Sequence, residues 1–516
     1  MTVNEICNKD MSFEECEYII MKSAIEESLK IQGERIVNNE ETRTILKILV
    51  DFLIDNRLVC YGGTAVNNIL PKKAQFYNKK YTIPDYDVYS DDALEDAKRL
   101  ANIYYSKGFM NVVSKSGMHY GTYKVYVNFI PILDVTQLYK PLFKKIQSDA
   151  IKIAGIYYCP PNFLRMNMFI ELSRPMGDVS RWEKILQRLT LLNKYYPLNP
   201  GSDCDALDFH KKITKNDELD DKIYVFIRDV LVDIGVIFFG GYASMLYSKY
   251  MTKAQQKQFK KIPNFDVIYD DPEKCAKIIT EVLSENNIHN VTVTTETEIG
   301  ELIPKHIIIS VNKQPIVVIY EPIACHNYNV IEVGDKEINI ATIDTILSFY
   351  LGFYYIDKPY YDHKRILCIA DYLFRVEQKK RVEPSGLLKR FSTTCYGKQK
   401  SLDDMRLEKY QNYEQLKHRK TTKEYESWFL NYTPKPIEKM IANIEEAAIK
   451  QGVETETDRD ILPATQSEDK EKIKEFKKIK HKFKTHKKYN PKHKTNKTRH
   501  HRTHNLNPHM AFNIYS

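Results

Sequence analysis

Apolar residues in this chain come in short runs that end at paired glycines, and the pattern occurs twice. Leu58-Val59-Cys60-Tyr61 leads into Gly62-Gly63-Thr64-Ala65, and Val236-Ile237-Phe238-Phe239 leads into Gly240-Gly241-Tyr242-Ala243. Such a run predicts a buried strand that turns closely into a helix, here one starting near Thr64. Beyond it, Asp85, Asp87 and Tyr89 alternate with Tyr86 and Val88, which puts the two carboxylates on one face of a second strand. Positions 93, 94, 97, 100, 101 and 104 are apolar at helical spacing, with Asp91 or Asp92 as cap and Gly108 as stop. Tyr123 to Val135, rich in Tyr, Val and Ile, predicts one long strand.

The repetition extends past the glycines. Ile83-Pro84-Asp85-Tyr86-Asp87-Val88-Tyr89-Ser90-Asp91-Asp92 returns as Ile262-Pro263-Asn264-Phe265-Asp266-Val267-Ile268-Tyr269-Asp270-Asp271, identical at six of ten positions. Val127-Asn128-Phe129-Ile130-Pro131-Ile132 returns as Val311-Asn312-Lys313-Gln314-Pro315-Ile316. Three blocks in one order, offset by 178, 179 and 184 residues, predict an intrachain duplication. Each copy reads as strand, Gly-Gly turn, helix, strand, helix, strand. In the second copy, Asp271-Pro272 marks a helix start. The expected divisions are a helical segment over 1–50, a first domain over 51–196, a linker over 197–221, a second domain over 222–395, a helical extension over 396–469 and a tail over 470–516.

A chain of 516 residues accommodates such modules, and 43% hydrophobic with 28% charged residues excludes a wholly disordered chain. No segment is long and apolar enough for a membrane span, and the start has no signal-peptide pattern. The nine cysteines are scattered and never form a CxxC pair, which predicts neither a disulfide framework nor a zinc site and suggests a reducing compartment. Residues 470–504 hold 15 Lys/Arg against two acidic residues, a local net of +13, which against a total of +9 leaves −4 on the rest. That tail has too little apolar surface to offset its ordering entropy and predicts a disordered electrostatic tether for nucleic acid or a solubility segment.

Asp85, Asp87 and Asp134, at strand rims with few basic residues beside them, would repel one another until divalent cations relieved the repulsion. Two such ions can activate a hydroxyl and stabilise a leaving pyrophosphate. The Gly62-Gly63-Thr64 turn offers N–H groups at a helix N-terminus, a favourable place for phosphate oxygens. Singly, a GG pair is a turn and a DxD a solvated strand edge; order and spacing make them a site for nucleotidyl transfer. The second copy has Asn264 where the first has Asp85, and Val318 in the register of Asp134. It is therefore expected to be catalytically dead, unless a slip of a few residues brings in Glu321 as a third carboxylate.

These motifs resemble the nucleotidyltransferase fold shared with DNA polymerase β. More closely, Cys60-Tyr61-Gly62-Gly63-Thr64-Ala65, Ile83-Pro84-Asp85-Tyr86-Asp87 and Ile132-Leu133-Asp134-Val135 are similar to the poly(A) polymerase catalytic subunits of large nucleocytoplasmic DNA viruses, particularly the giant-virus branch. The resemblance spans about residues 40–390. It implies an α+β protein of two tandem polymerase β-like domains, the second degenerate, with helical flanks and a disordered basic tail. It also implies ATP-dependent addition of adenylates to mRNA 3′ ends, with two Mg²⁺ or Mn²⁺ ions at Asp85, Asp87 and Asp134 and the ATP phosphates at Gly62, Gly63 and Thr64. Further implications are a homodimer, RNA as partner, no membrane, and residence in the cytoplasmic viral factory and the virion. Lys184, in Arg181-Trp182-Glu183-Lys184, takes the place of a nucleotide-facing helix residue. The rivals are a nucleotidyltransferase that adds single nucleotides to RNA or protein, and a non-catalytic RNA-binding or processivity scaffold.

Overall fold

The computed structural model describes residues 7, 11–201, 204, 217–256, 264–300, 302–358, 361–380 and 383–435. The helices are α1 (Phe13–Val37), α2 (Glu40–Asp55), α3 (Gly62–Ile69), α4 (Ala93–Ser106), α5 (Lys140–Ser148), α6 (Pro161–Leu172), α7 (Trp182–Tyr195), α8 (Asp217–Ile234), α9 (Gly241–Tyr247), α10 (Lys253–Gln256), α11 (Pro272–Glu285), α12 (Ile343–Tyr354), α13 (His363–Lys379), α14 (Leu402–Leu416) and α15 (Lys423–Phe429). The first-half strands are β1 (Val59–Tyr61), β2 (Tyr86–Ser90), β3 (Val112–Ser116), β4 (Thr122–Val127), β5 (Ile130–Gln137), β6 (Ile151–Ile153) and β7 (Ile156–Tyr158). Those that follow are β8 (Ile237–Phe238), β9 (Phe265–Ile268), β10 (Val291–Glu296), β11 (His306–Val311), β12 (Gln314–Tyr320), β13 (His326–Val333), β14 (Lys336–Ala341), β15 (Cys395–Tyr396) and β16 (Asn431–Tyr432).

Two mixed sheets organise these elements. One runs β16-β3-β4-β5-β2-β1-β7-β6 and the other β10-β11-β12-β9-β8-β14-β13-β15. With β16 and β15 set aside, the orders match strand for strand. The correspondence reaches into irregularities. In β4/β5 the register shifts between Val125 and Tyr126, and in β11/β12 between Ile309 and Ser310. Both hairpins turn on two residues with positive φ, Asn128-Phe129 and Asn312-Lys313. Twice the same bulge beside twice the same turn supports a duplicated unit.

The hairpin corrects the reading of Tyr123 to Val135 as one strand. The chain reverses at Asn128-Phe129, a two-residue turn in which both residues take the left-handed conformation. The helix after the glycine pair starts at Gly62, two residues before the expected position. The periodicity argument holds for α4, which buries Ala93, Leu94, Ala97, Leu100, Ala101 and Tyr104, but its N-cap residue Asp92 makes no side-chain cap hydrogen bond, and Gln137 Oε1 accepts from Ala93 N at 3.0 Å instead. The cap argument holds for α11, where the Asp271 carboxylate accepts from Lys274 N and proline fills the first turn.

Domain edges shift more. The expected boundary at residue 50 cuts α2, whose Ile45, Leu49, Phe52 and Leu53 are buried in the first half's core, with Tyr104 Oη donating to Ile45 O at 2.7 Å. The expected linker over 197–221 loses its end to α8, and residues 202–203 and 205–216 of it lie outside the described residues. In the expected helical extension, β16 returns to pair with β3; residues 436–469 and the whole basic tail lie outside the described residues. The two halves pack through α6 and α12, where Phe163 meets Tyr355 edge-on at 5.1 Å. Asn327 N also donates to Ser173 O at 2.9 Å.

The cysteine expectation fails. The structure joins Cys7 to Cys16, Cys204 to Cys368 and Cys325 to Cys395, and leaves Cys60, Cys159 and Cys275 free and buried. Two of these pairs are 164 and 70 residues apart in the chain, so tertiary proximity sets them and no local spacing announces them.

Candidate active site

β1 delivers the chain to Gly62, whose φ of +68° suits glycine. A Cβ there would overlap Asp87 Oδ2. A Cβ on Gly63 would stand 2.6 Å from the Tyr77 hydroxyl and 2.8 Å from Arg188 Nη2. Both glycines therefore let the Asp87, Tyr77 and Arg188 side chains close onto the N-terminus of α3. Thr64 acts differently from expectation. Its hydroxyl is buried and donates to the backbone carbonyl of Asp85 at 2.5 Å, so the side chain pins the entry to β2 and is not free to meet a phosphate.

Strand pairing sets the carboxylates in one row. Tyr61 of β1 stands opposite Asp87 of β2, Asp87 opposite Asp134 of β5, Asp134 opposite Lys124 of β4, and Lys124 opposite Lys115 of β3. Directly paired residues project to the same face, so five chemistry-bearing side chains cross the sheet in register. Asp85 lies two residues before Asp87, exposed at the rim.

The electrostatics follow from this crowding. Burial first, then the charges of Asp85 and Asp134, push the Asp87 carboxyl up to about 8. Partial loss of hydration at the rim and then the Asp134 charge also raise Asp85. Asp134 has a counterion: Lys124 Nζ lies 2.5 Å from its Oδ2. Against its own desolvation, this pair raises the Lys124 pKa. The expectation of few basic neighbours is thus corrected. Lys124 was legible in Thr122-Tyr123-Lys124-Val125-Tyr126, whose alternation places Thr122, Lys124 and Tyr126 on one face.

α7 supplies a basic wall. Lys184, in its first turn, is electrostatically linked to Asp85, and its pKa is lowered by desolvation and by Arg188 and Arg181. One turn on, Arg188 Nη2 donates to Tyr77 Oη at 2.7 Å and its guanidinium lies over the Phe76 ring at 5.3 Å. Arg188 and Tyr77 carried no motif, although Lys184 and Arg188 at i and i+4 share a helix face.

Three carboxylates are hard oxygen donors, the chemistry that Mg²⁺ or Mn²⁺ takes. Among the described residues, no three His, Cys, Asp or Glu side chains yet stand within common ligating reach. Asp134 is engaged by Lys124, which a cation would displace. The oxygen donors suit such ions in chemistry but are not gathered within common reach, and the repulsion at Asp87 from Asp85 and Asp134 is what bound ions would relieve.

The second sheet is the control. Asp266 pairs with Val318, which pairs with Ile308, which pairs with Thr294. The row Asp87-Asp134-Lys124-Lys115 has become Asp266-Val318-Ile308-Thr294. This pairing excludes a register slip, and Glu321 lies beyond the end of β12. Asn264 Nδ2 donates to Asp266 Oδ2 at 3.0 Å, and Arg365 Nη2 donates to Asn264 Oδ1 at 2.7 Å. An arginine from α13 now supplies positive charge there.

A glycine-backed paired-carboxylate row on a mixed sheet resembles the nucleotidyltransferase class. Residues 47–178 of this chain match the family described as the poly(A) polymerase catalytic subunit. The chain is 34% identical over 178 residues to an Acanthamoeba polyphaga mimivirus protein named as a poly(A) polymerase catalytic subunit, covering 34% of this chain and 28% of that protein. It is 31% identical over 174 residues to a protein so named from African swine fever virus (strain Badajoz 1971 Vero-adapted), covering 33% of this chain and 36% of that one. These matches thus span about a third of the relatives' length. The crystal structure of the Megavirus polyadenylate synthase superposes with a TM-score of 0.70 at 19% identity, over 89% of this chain and 93% of that one, so the fold is shared nearly end to end.

Proposed function

We propose that this protein is a template-independent poly(A) polymerase that transfers AMP from ATP to RNA 3′ ends, with the first copy catalytic and the second not. The observation that carries this reading is the register row joining Asp87, Asp134 and Lys124 beside Gly62, and its loss of Asp134 and Lys124 in the second copy. The matched family segment, residues 47–178, contains Gly62, Asp85, Asp87 and Asp134.

Asp85, Asp87 and Asp134 would hold two divalent ions. Bound there, the ions lower the pKa of the attacking hydroxyl and offset charge on the phosphates. The protein's own groups do the positioning. The N–H groups at the start of α3 would receive the phosphates, beside the Asp87, Tyr77 and Arg188 side chains that close onto Gly62 and Gly63. Lys184 and Arg188 balance triphosphate charge from α7. Thr64 holds Asp85 in place through its carbonyl. The homodimer and the cytoplasmic viral factory and virion come with the same reading from the resemblance. Among the described residues, no helix is long and apolar enough to cross a membrane.

The test incubates the purified protein and a short RNA with each nucleoside triphosphate separately, beside Asp134→Ala. A ladder with ATP alone is expected, slowed on the order of a hundredfold or more in the variant. Equal extension by all four nucleotides removes the poly(A) assignment and keeps nucleotidyl transfer. A single addition favours the nucleotidyltransferase rival. No metal-dependent incorporation favours the scaffold. Long tails from Asp134→Ala overturn the site.

A further inference from the structure

The second copy touches the basic wall of the first at the N-terminus of α7. Trp182, the first residue of that helix, has its ring centroid 5.8 Å from that of Phe391, which the second half supplies. Its indole Nε1 also donates to Glu171 O, near the end of α6, at 2.9 Å. Arg181 Nη1 stands 3.6 Å from Glu171 Oε2. The Glu171 charge is in turn linked to Arg188, and Lys184 is linked to both Glu171 and Asp85. The start of α7 and the cations it carries therefore share Glu171 as an anchor.

Strand β13 of the second copy fixes both partners of Trp182. Asn327 N donates to Ser173 O at 2.9 Å, which holds the end of α6 two residues beyond Glu171. On the same strand, Tyr328 O accepts from Ser392 Oγ at 2.9 Å and Asn329 Nδ2 donates to Lys389 O at 2.9 Å, so the chain is gripped before and after Phe391. Phe391 itself has a φ of +54°, a left-handed backbone that a bulky residue keeps only where its surroundings over-determine it. The Arg390 guanidinium lies 4.7 Å from the centre of its ring and is held by Asp344 and Glu377.

We propose that Phe391 and Trp182 form a brace through which the second copy sets the position of Lys184 and Arg188 at the nucleotide site. Neither ring meets the substrate; both are positioning residues. A packed ring pair has a preferred geometry, and the contacts of a cation with phosphate are directional enough that a small shift of the helix start weakens them. A copy without chemistry of its own thus tunes the affinity of the other. The nucleotide beside α7 rests on the proposed function; the coupling between copies rests on the contacts of Trp182 and Phe391.

The test is calorimetric titration of the full-length protein with ATP and Mg²⁺, together with initial rates on a short RNA. Phe391→Ala should weaken ATP binding about fivefold and raise KM for ATP by a similar factor, with kcat changed by less than about twofold. Phe391→Tyr keeps the ring and should recover most of the loss. Phe391→Ala and Lys184→Ala should be non-additive, the double variant losing less than the product of the single losses. Trp182→Phe keeps a ring and removes the bond to Glu171; it should also weaken ATP binding, and it carries the test where Phe391→Ala does not fold. Wild-type ATP affinity in a folded Phe391→Ala overturns the brace, as does a double variant whose loss equals the product of the two single losses. Weakened ATP binding by Phe391→Ala in a protein that incorporates no nucleotide would keep the brace and remove the polymerase.

Discussion

The carboxylate of Asp87 fills the space over Gly62 that any side chain at that position would need. Gly62→Ala should displace Asp87 and force a left-handed alanine, which costs on the order of 1–2 kcal/mol. Incorporation should fall about a hundredfold, because small misplacements of a reacting centre are costly. Gly240 meets Asp266 in the same way, and Gly240→Ala should lower the melting temperature while leaving the turnover of the folded protein intact. Equal loss of turnover in both variants would contradict the assignment of chemistry to the first copy alone.

The glycines and aspartates were legible because they impose local spacing: a turn that tolerates no Cβ, a two-residue alternation, a recurring block. What sits around them was less legible. Lys124 reaches Asp134 only because a hairpin folds where one long strand was expected. Arg188 reaches Tyr77 across 111 positions of chain. Thr64 kept its place in the motif, but its hydroxyl bonds to the backbone of Asp85. Pairings set by tertiary closeness, the disulfides included, leave no periodic trace in a sequence.

Lys124 neutralises Asp134 when no cation is present. Lys124→Met should leave the carboxylates uncompensated, and divalent cations should then raise the melting temperature more than in wild type, matching about tenfold tighter binding. Calorimetry with and without Mg²⁺ checks this. An identical cation shift in both proteins would show that the lysine does not compete for the site.

Arg390 bridges two buried carboxylates in the second half, Asp344 at 2.6 Å and Glu377 at 2.5 Å. Removing it strands both charges. Arg390→Met should cost about 3–5 kcal/mol, and Arg390→Met with Asp344→Asn should recover part of it. Chemical denaturation of the two variants measures the difference; a single variant as stable as wild type would mean the carboxylates are protonated in the native protein.

His326 is buried, and its ring nitrogens have no hydrogen-bond partner. Burial, then the charge of Arg174, depresses its pKa to about 3. The folded protein keeps the ring neutral, whereas the unfolded chain protonates it below about 6.5. Stability from this group is therefore full above pH 6.5 and declines as pH falls from there toward 3, by up to about 1.4 kcal/mol per unit. His326→Phe, whose ring can pack beside Phe349, should remove that slope. Parallel melting curves for both proteins between neutral and mildly acidic pH would rule out the histidine as the source.

The bulge and left-handed turn are common to both hairpins, although the acid and the lysine of the first are absent from the second. Val318 and Ile308 occupy backbone positions still shaped for an acid and a lysine. On the proposed reading, a site is emptied by exchanging a few side chains, Asn264, Val318 and Ile308 here, while the strand order, the bulge and the turn persist. In a doubled chain, a spare copy becomes raw material for new surfaces without any redesign of the main-chain path.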